Sequence, residues 1–417
     1  MNSGPQSSAK IPTHIKPEIV VDYDMFGDRR FDETGDLHLG LQKLADEAGR
    51  GIFWTPHNGG HWLINDHELL FQAARDTALF SSNNRSSSEG AIITIPPMEG
   101  GAEPRFAPLS LDPPEHGTFR APLLKVFGPS AIGRQEQVVR DLARPLIARL
   151  KSQNRAEFLD AIAEPLPVTV FLKMMGMPLG RLAEFRSWMS DMASKDNARR
   201  ASSFANIEQA MGELIAERQV QRRDDLVSTL LDSDVGGHNP TLADMQSYCL
   251  LLFTAGLDTL VNTFSYAMYH LARNPDLQDH IRKDPGSIPE FIEEVLRRYA
   301  VVMVPRIVAR DAEFAGVCLK QGERVLLMLP SGNLDPNVFL DPLAFDFDRE
   351  NKAHMTFNSG PHRCVGSHLA RLELRVFFEE WFAEMPNIEL DPQDPPTYRS
   401  GFNLAISKLP LIWQASA

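Results

Sequence analysis

Phe357-Asn358-Ser359-Gly360-Pro361-His362-Arg363-Cys364-Val365-Gly366 is the stretch on which the reading of this chain turns. A regular apolar helical pattern, Ser367-His368-Leu369-Ala370-Arg371-Leu372-Glu373-Leu374-Arg375-Val376-Phe377-Phe378, begins immediately after it. A cysteine just ahead of a helix has its sulfur near unpaired N–H groups and the positive end of the helix dipole. Both favour a thiolate and lower the thiol pKa. Gly360 and Gly366 carry no side chain, so the backbone there can approach a flat cofactor closely and turn amides toward the sulfur. Phe357 can cover the ring of such a cofactor. The plainer alternative is a buried structural cysteine in a turn. A zinc cluster of His354, His362, Cys364 and His368 is a third reading, disfavoured because no second cysteine lies nearby and a helix turns His368 away. Covalent haem attachment needs a Cys-x-x-Cys-His run, which is absent.

Upstream, Asn239-Pro240-Thr241 opens a helical segment that stops at Asn274-Pro275, with Thr241 and Asp244 in capping-box spacing. As one helix it would run roughly 50 Å and cross the core. Its centre, Leu251-Leu252-Phe253-Thr254-Ala255-Gly256-Leu257-Asp258-Thr259, sets a glycine, an acid and a hydroxyl in an apolar run, where each costs stability. Two readings stand for Asp258 and Thr259. In one, Thr259 bonds back to a carbonyl one turn earlier and Asp258 pairs with a base. In the other, Gly256 loosens the helix, and the acid and hydroxyl move protons at a buried centre. On the next helix, Ser287-Ile288-Pro289-Glu290 reads as cap, first-turn proline and capping-box acid, followed by Glu294 and Arg297. By itself an i, i+3 ion pair is ordinarily a solvated helix face.

The remaining segments predict a small β region. Gly51 to Trp54 and Gly60 to Ile64 read as a hairpin, and Arg306 to Arg310 and Arg324 to Leu329 as strands joined through Gly316 and Gly322. Ser82 to Leu111 is too punctuated by Ser, Gly and Pro for regular structure, a loop of the length that often carries function. From His116 to Leu231 helical periodicity dominates. The chain has 417 residues, is 43% hydrophobic and 23% charged, and carries a formal charge of −13, which argues against nucleic-acid binding. Three scattered cysteines, Cys249, Cys318 and Cys364, are no disulfide framework and suit a reducing compartment. The first ten residues lack the apolar stretch of a signal peptide or membrane anchor, so a cytoplasmic protein with no membrane partner is expected. The expected organisation is a disordered segment over 1–15 and a single domain over 16–417.

The fixed elements Phe357, Gly360, Cys364 and Gly366 resemble the haem-binding signature of cytochromes P450, Phe-x-x-Gly-x-x-x-Cys-x-Gly. Ala255-Gly256-Leu257-Asp258-Thr259 resembles the oxygen-activation segment of that family, and Glu294 and Arg297 its Glu-x-x-Arg pair. The resemblance runs from about Val20 to Trp413 and is nearest the bacterial camphor hydroxylase group. It implies a mainly α fold with a small β region, a triangular helical prism around buried haem b. It further implies Cys364 as axial iron ligand, Asp258 and Thr259 as the catalytic proton relay, and Glu294 and Arg297 as structural support for the cysteine loop. Many family members complete that pair with Arg or His just before a segment matching Phe345 to Arg349, where this chain has Ala344. Haem contacts implied are His116, Arg120, Ala255, Arg306, Phe357, Gly360, His362 and Gly366. The haem carboxylates need cationic or N–H partners when buried.

Ungapped alignment from Asp112-Pro113-Pro114-Glu115 puts Pro104 where camphor hydroxylases carry a substrate-binding tyrosine. Ile95, Phe106, Leu251, Thr254, Val302 and Phe402 fall at other pocket positions. That apolar lining implies a compact substrate, a monoterpenoid or norisoprenoid, for which camphor itself is a poorer fit. The implied activity is monooxygenation of an unactivated C–H bond with dioxygen. No flavin or nicotinamide fingerprint occurs, so electrons are expected from another protein; the resemblance implies a [2Fe–2S] ferredoxin and its reductase, for which Arg120, Lys125, Arg363 and Arg371 offer docking cations. A haem-thiolate ligand or gas sensor and a peroxide-driven oxygenase are the alternatives. The 176–223 region is a candidate lid.

Overall fold

The computed structural model describes residues 9–84, 92–97, 105–192 and 197–414. They group into two compact units, one made of Met1–His116, Glu293–Cys364 and Tyr398–Ala405, the other of Gly117–Ile292, Val365–Thr397 and Ile406–Ala417.

The first unit is built on a five-stranded sheet, in the order Ile52–Thr55, His61–Ile64, Arg324–Leu327, Val304–Val308, Phe80–Ser81. The expected hairpin forms with Trp54 opposite Trp62. Only the pairing of His61–Ile64 with Arg324–Leu327 is parallel within this sheet. Side chains alternate faces along a strand, and the two faces feed different cores. Trp62, Ile64, Val325 and Leu327 enter a cluster with Trp54, Leu70 and Phe80, whereas Leu63 and Leu326 enter one with Tyr23, Leu41 and Met303. The helix His67–Arg75 is capped by Asp66, whose carboxylate accepts from the Leu69 amide. Its Leu70 packs so close to Gly332 that a Cβ there would meet Leu70 Cδ1 at 2.4 Å.

The second unit is mostly helical, with a three-stranded sheet of Arg155–Glu157, Pro410–Trp413 and Ile388–Leu390. Its helices Glu136–Ala148 and Ser367–Glu384 are clasped by ion pairs of Arg140 with Glu379 and Glu380, Arg144 with Glu380, and Arg375 with Glu136. The segment expected as one long helix is two, Leu242–Gly256 and Asp258–Ala272, broken at Leu257 (φ −100°, ψ −61°). The capping box at its start forms as expected from Thr241 and Asp244. The one expected at Ser287 does not. A 3₁₀ turn over Pro285–Ser287 runs straight into the helix Ile288–Arg298, leaving no extended cap residue, and the Ser287 hydroxyl donates to Asp284 O instead. No helix among the described residues is long and apolar enough to cross a membrane.

Candidate functional site

Within the first unit, the cysteine loop is a compact turn closed on itself. The Cys364 amide donates to Phe357 O at 2.8 Å and the Arg363 amide to Gly360 O at 3.1 Å. Gly360 sits at φ +69°, and a Cβ there would meet Ala74 O at 2.9 Å and Arg75 Cα at 3.0 Å. Glycine is therefore required twice over, by its backbone angle and by contact with the helix His67–Arg75. The helix Ser367–Glu384 starts three residues after Cys364. Cys364 is exposed, whereas Cys249 is buried and its thiol is pushed up to about 12 by desolvation. Cys249 is the inert interior cysteine of this chain; Cys364 is not.

The base of the loop is tied to the Glu294–Arg297 pair. Arg297 donates to both carboxylate oxygens of Glu294, at 2.8 and 2.7 Å, and the two side chains are 1% and 4% exposed. The pair is thus interior, unlike a solvated helix face. Arg297 also donates to the carbonyls of Asn333, Pro342 and Ala344. Asn333 in turn accepts from the Met355 amide at 2.7 Å and donates to Thr356 Oγ1 at 2.8 Å, just ahead of Phe357. The third partner of the pair is Arg349, whose Nε lies 3.3 Å from Glu294 Oε1. Position 344 contributes through its carbonyl, which accepts from both Arg297 and Arg349. Neither Asn333 nor Arg349 had been singled out from the sequence.

Three further expected haem contacts lie in this unit. His362 Nε2 is 3.0 Å from Ser82 Oγ, and its ring lies 4.3 Å, centroid to centroid, from that of buried His116. Arg306 is 2% exposed, and among the described residues only its Nη1 donates, to Pro305 O, while Nε and Nη2 are buried with no hydrogen-bond partner there. Burial holds its pKa down at about 10, opposed by the nearby charge of Asp112. An interior guanidinium with two orphaned donors is costly and calls for an anion.

In the second unit, the helix break exposes Ala255 and Gly256. One side chain reaches back across the break, and two more bond within the first turns of the second helix. Thr259 Oγ1 donates to Ala255 O at 3.1 Å, Asn262 Nδ2 to Asp258 O at 2.7 Å, and Thr263 Oγ1 to Thr259 O at 2.9 Å. The Thr259 oxygen keeps its lone pairs as acceptors while its proton is engaged. Asp258, in the first turn of the second segment, is half-buried. Arg120 lies on the helix Glu115–Phe127.

The expected pocket residues divide between the units. In the first, Ile95 is 1% exposed in the cluster of Tyr23, Met303 and Leu404, with Phe402 packed against it. Val302, half-buried, bridges to Asn403, and Phe106 is buried. In the second, Leu251 is buried, and Thr254 donates its hydroxyl to Leu250 O at 2.8 Å. Pro104 lies outside the described residues. Among the described residues no group of three His, Cys, Asp or Glu side chains is arranged to hold a metal ion by itself.

The model of the family described as Cytochrome P450 matches this chain over residues 149–288 and 288–409. The chain belongs to the cytochrome P450 family. Relatives of this P450 include a probable cytochrome P450 127A1 of Sinorhizobium fredii, 30% identical over 410 residues that cover 97% of each chain. A linalool 8-monooxygenase of Pseudomonas putida is 27% identical over 376 residues, 87% of this chain and 92% of that one. The crystal structure of CYP101J2 superimposes with a TM-score of 0.89 at 31% identity, covering 97% of this chain and 100% of that one. The P450 fold and its haem b follow from membership. The donor set fits that cofactor: Arg306 offers two unused N–H groups to a haem carboxylate, and the loop around Gly360 leaves Cys364 exposed as a ligand.

Proposed function

We propose that this P450 monooxygenase hydroxylates an unactivated C–H bond of a compact apolar molecule of the monoterpenoid or norisoprenoid class, in the cytoplasm, with electrons from a [2Fe–2S] ferredoxin. Haem, when bound, supplies the binding and activation of dioxygen. The chain's own residues would do the rest. Cys364 holds the iron, with Arg306, His116 and His362 taking the haem carboxylates. The engaged hydroxyl of Thr259 accepts a hydrogen bond at the helix break, and Asp258 passes protons to it from water. Arg120, Lys125, Arg363 and Arg371 offer the cations an acidic iron–sulfur protein would dock against.

The substrate class rests on one observation above all. Thr254 is the only hydroxyl among the pocket positions, and it donates to the Leu250 and Leu251 carbonyls of its own helix. With its proton spent there, and with every other expected pocket position apolar in the sequence, shape and not a polar anchor is left to orient a ligand. The name of the Pseudomonas putida relative, a linalool 8-monooxygenase, supports an acyclic or monocyclic terpenoid. Titrating the ferric holoenzyme with linalool and a panel of monoterpenoids and norisoprenoids tests this through the low-spin to high-spin change of the haem absorption. A saturating change with one compound class supports the assignment. No response across the panel removes it while leaving the monooxygenase intact.

A further inference from the structure

Glu373 is a buried acid that none of this chemistry uses. It lies on the helix Ser367–Glu384, 2% exposed, and its Oε2 has no hydrogen-bond partner among the described residues. No cation pairs with it among those residues, whereas the other buried acid of this helix, Glu380, is held by Arg140 and Arg144 of the helix Glu136–Ala148. None of the charged groups on the elements packed against the helix forms an ion pair with Glu373 among the described residues. Arg140 and Arg144 of Glu136–Ala148 go to Glu379 and Glu380, Glu136 goes to Arg375, and Arg282 of Pro275–Lys283 donates to Phe382 O. The segment Pro129–Gly133 carries no ionisable side chain. The other titratable groups on these elements are Asp141 on Glu136–Ala148, Asp276, Asp279, His280 and Lys283 on Pro275–Lys283, Asp258, Tyr266, Tyr269 and His270 on Asp258–Ala272, Glu290, Glu293, Glu294, Arg297 and Arg298 on Ile288–Arg298, and Glu157, Asp160 and Glu164 beside Phe158. Burial alone raises the Glu373 carboxyl, to about 8. An unpaired carboxyl in such a place stays protonated near neutrality, and its proton is its only means of adjusting to a new charge nearby.

Such a charge arrives by way of Cys364. The chain from Cys364 to Ser367 spans at most about 11 Å and six further helical residues add about 9 Å, so Glu373 is within about 20 Å of the thiolate along the chain. We propose that Glu373 is a redox-linked proton site: when one electron from an external one-electron donor enters the haem, the proton affinity of its carboxylate rises and protons are taken up from solvent, to be released on reoxidation. The electron reduces the iron by one unit, each proton taken up converts one carboxylate to carboxylic acid, and with an affinity change of about four- to sixfold the uptake reaches at most about 0.3–0.4 proton per electron, so the added charge is offset in part. At an effective dielectric constant of about 20 and 15–20 Å, one added negative charge raises the proton affinity about four- to sixfold. Glutamate is therefore a means of easing electron entry without a nearby cation, and it does so only above the pH at which the oxidised protein has lost that proton.

The inference rests on Cys364 being the iron ligand, and the test separates the two. The midpoint potential of the holoenzyme, reduced with dithionite, is followed by spectroelectrochemistry from about pH 6 to 10 in the wild type and in Glu373→Gln. The wild-type potential falls through the region above pH 8 by a total of about 35–45 mV, the four- to sixfold ratio at 59 mV per tenfold, and that fall is missing from the variant. An equal fall in both proteins, or none in the wild type, overturns the proposal. Should the variant not retain haem, redox-difference infrared spectra of the wild type at pH 9 decide it: a carboxylic C=O stretch gained on reduction supports it, and its absence overturns it. The absorption of the ferrous carbon monoxide complex reports thiolate ligation independently; a non-thiolate spectrum in wild type removes the Cys364 reading and the proposal with it.

Discussion

Replacing Glu294 with alanine removes the acceptor on which three donors converge. Arg297 loses bonds of 2.8 and 2.7 Å, the Asp346 amide one of 3.0 Å, and Arg349 a contact of 3.3 Å. Both arginines are interior, with side chains 1% and 6% exposed, so two guanidinium groups are left without their carboxylate. Breaking a buried pair in this way costs about 3–5 kcal/mol, because the stranded charge is not rehydrated. With an unfolding entropy of about 2.1 cal/mol/K per residue, the whole chain unfolding together carries about 0.9 kcal/mol/K, so the melting temperature drops about 3–6 °C. Urea unfolding of the purified holoenzyme measures the free energy directly, and an unchanged m-value assigns the loss to the folded state. Haem content should fall in parallel, since Arg297 also holds the Asn333 carbonyl and Asn333 holds Met355 and Thr356. Glu294→Gln, which keeps the shape and loses the charge, should fall between. A Glu294→Ala loss below about 1 kcal/mol, the worth of a solvated surface pair, would refute the reasoning.

Three other outcomes are expected. Arg306→Leu should bind haem about tenfold or more weakly, with Arg306→Lys recovering part of the affinity; transfer of haem to apomyoglobin measures both, and equal retention by all three proteins counts against a carboxylate contact. Thr259→Ala should keep the terpenoid-induced spin change within about twofold while product formed per NADH drops about tenfold, since proton handling and not binding is lost. Stability should decline as pH rises from about 4.5 to about 8, because the unfolded chain ionises Glu373 near its ordinary value of 4.5 whereas the folded one holds its proton to about 8. The folded state binds the extra proton in that window, so the slope is negative, up to about 1.4 kcal/mol per pH unit, and Glu373→Gln should remove it.

Where the determinants are local, they can be read from the chain alone. The spacing from Phe357 to Gly366, the Thr241 and Asp244 capping box, and the Trp54/Trp62 hairpin each involve residues close in sequence, and each forms. The break at Leu257 is less visible: apolar periodicity continues through it and only Gly256 hints at it, while the bond that spans the interruption is a side-chain one, from Thr259 back to Ala255 O. Asn333 gave no signal, since its partners Met355 and Thr356 lie more than twenty residues away. Arg349 was hidden for another reason. The third partner of Glu294 was sought as a side chain at 344, and the chain supplies a carbonyl there and the guanidinium farther on. Nothing in the sequence separates Glu373 from any other polar position on an amphipathic helix; only its burial does.

The short helix His67–Arg75 is gripped at two points, by Gly332 against Leu70 and by Gly360 against Ala74 and Arg75. It works as a gauge block: at Gly360 the cysteine turn rests on the backbone of Ala74 and Arg75, with no side chain of its own between to absorb an error. A graft of Phe357 to Gly366 into another scaffold would carry the cysteine without its gauge. Shifting the register of His67–Arg75 would move Cys364 as directly as a change within the turn itself.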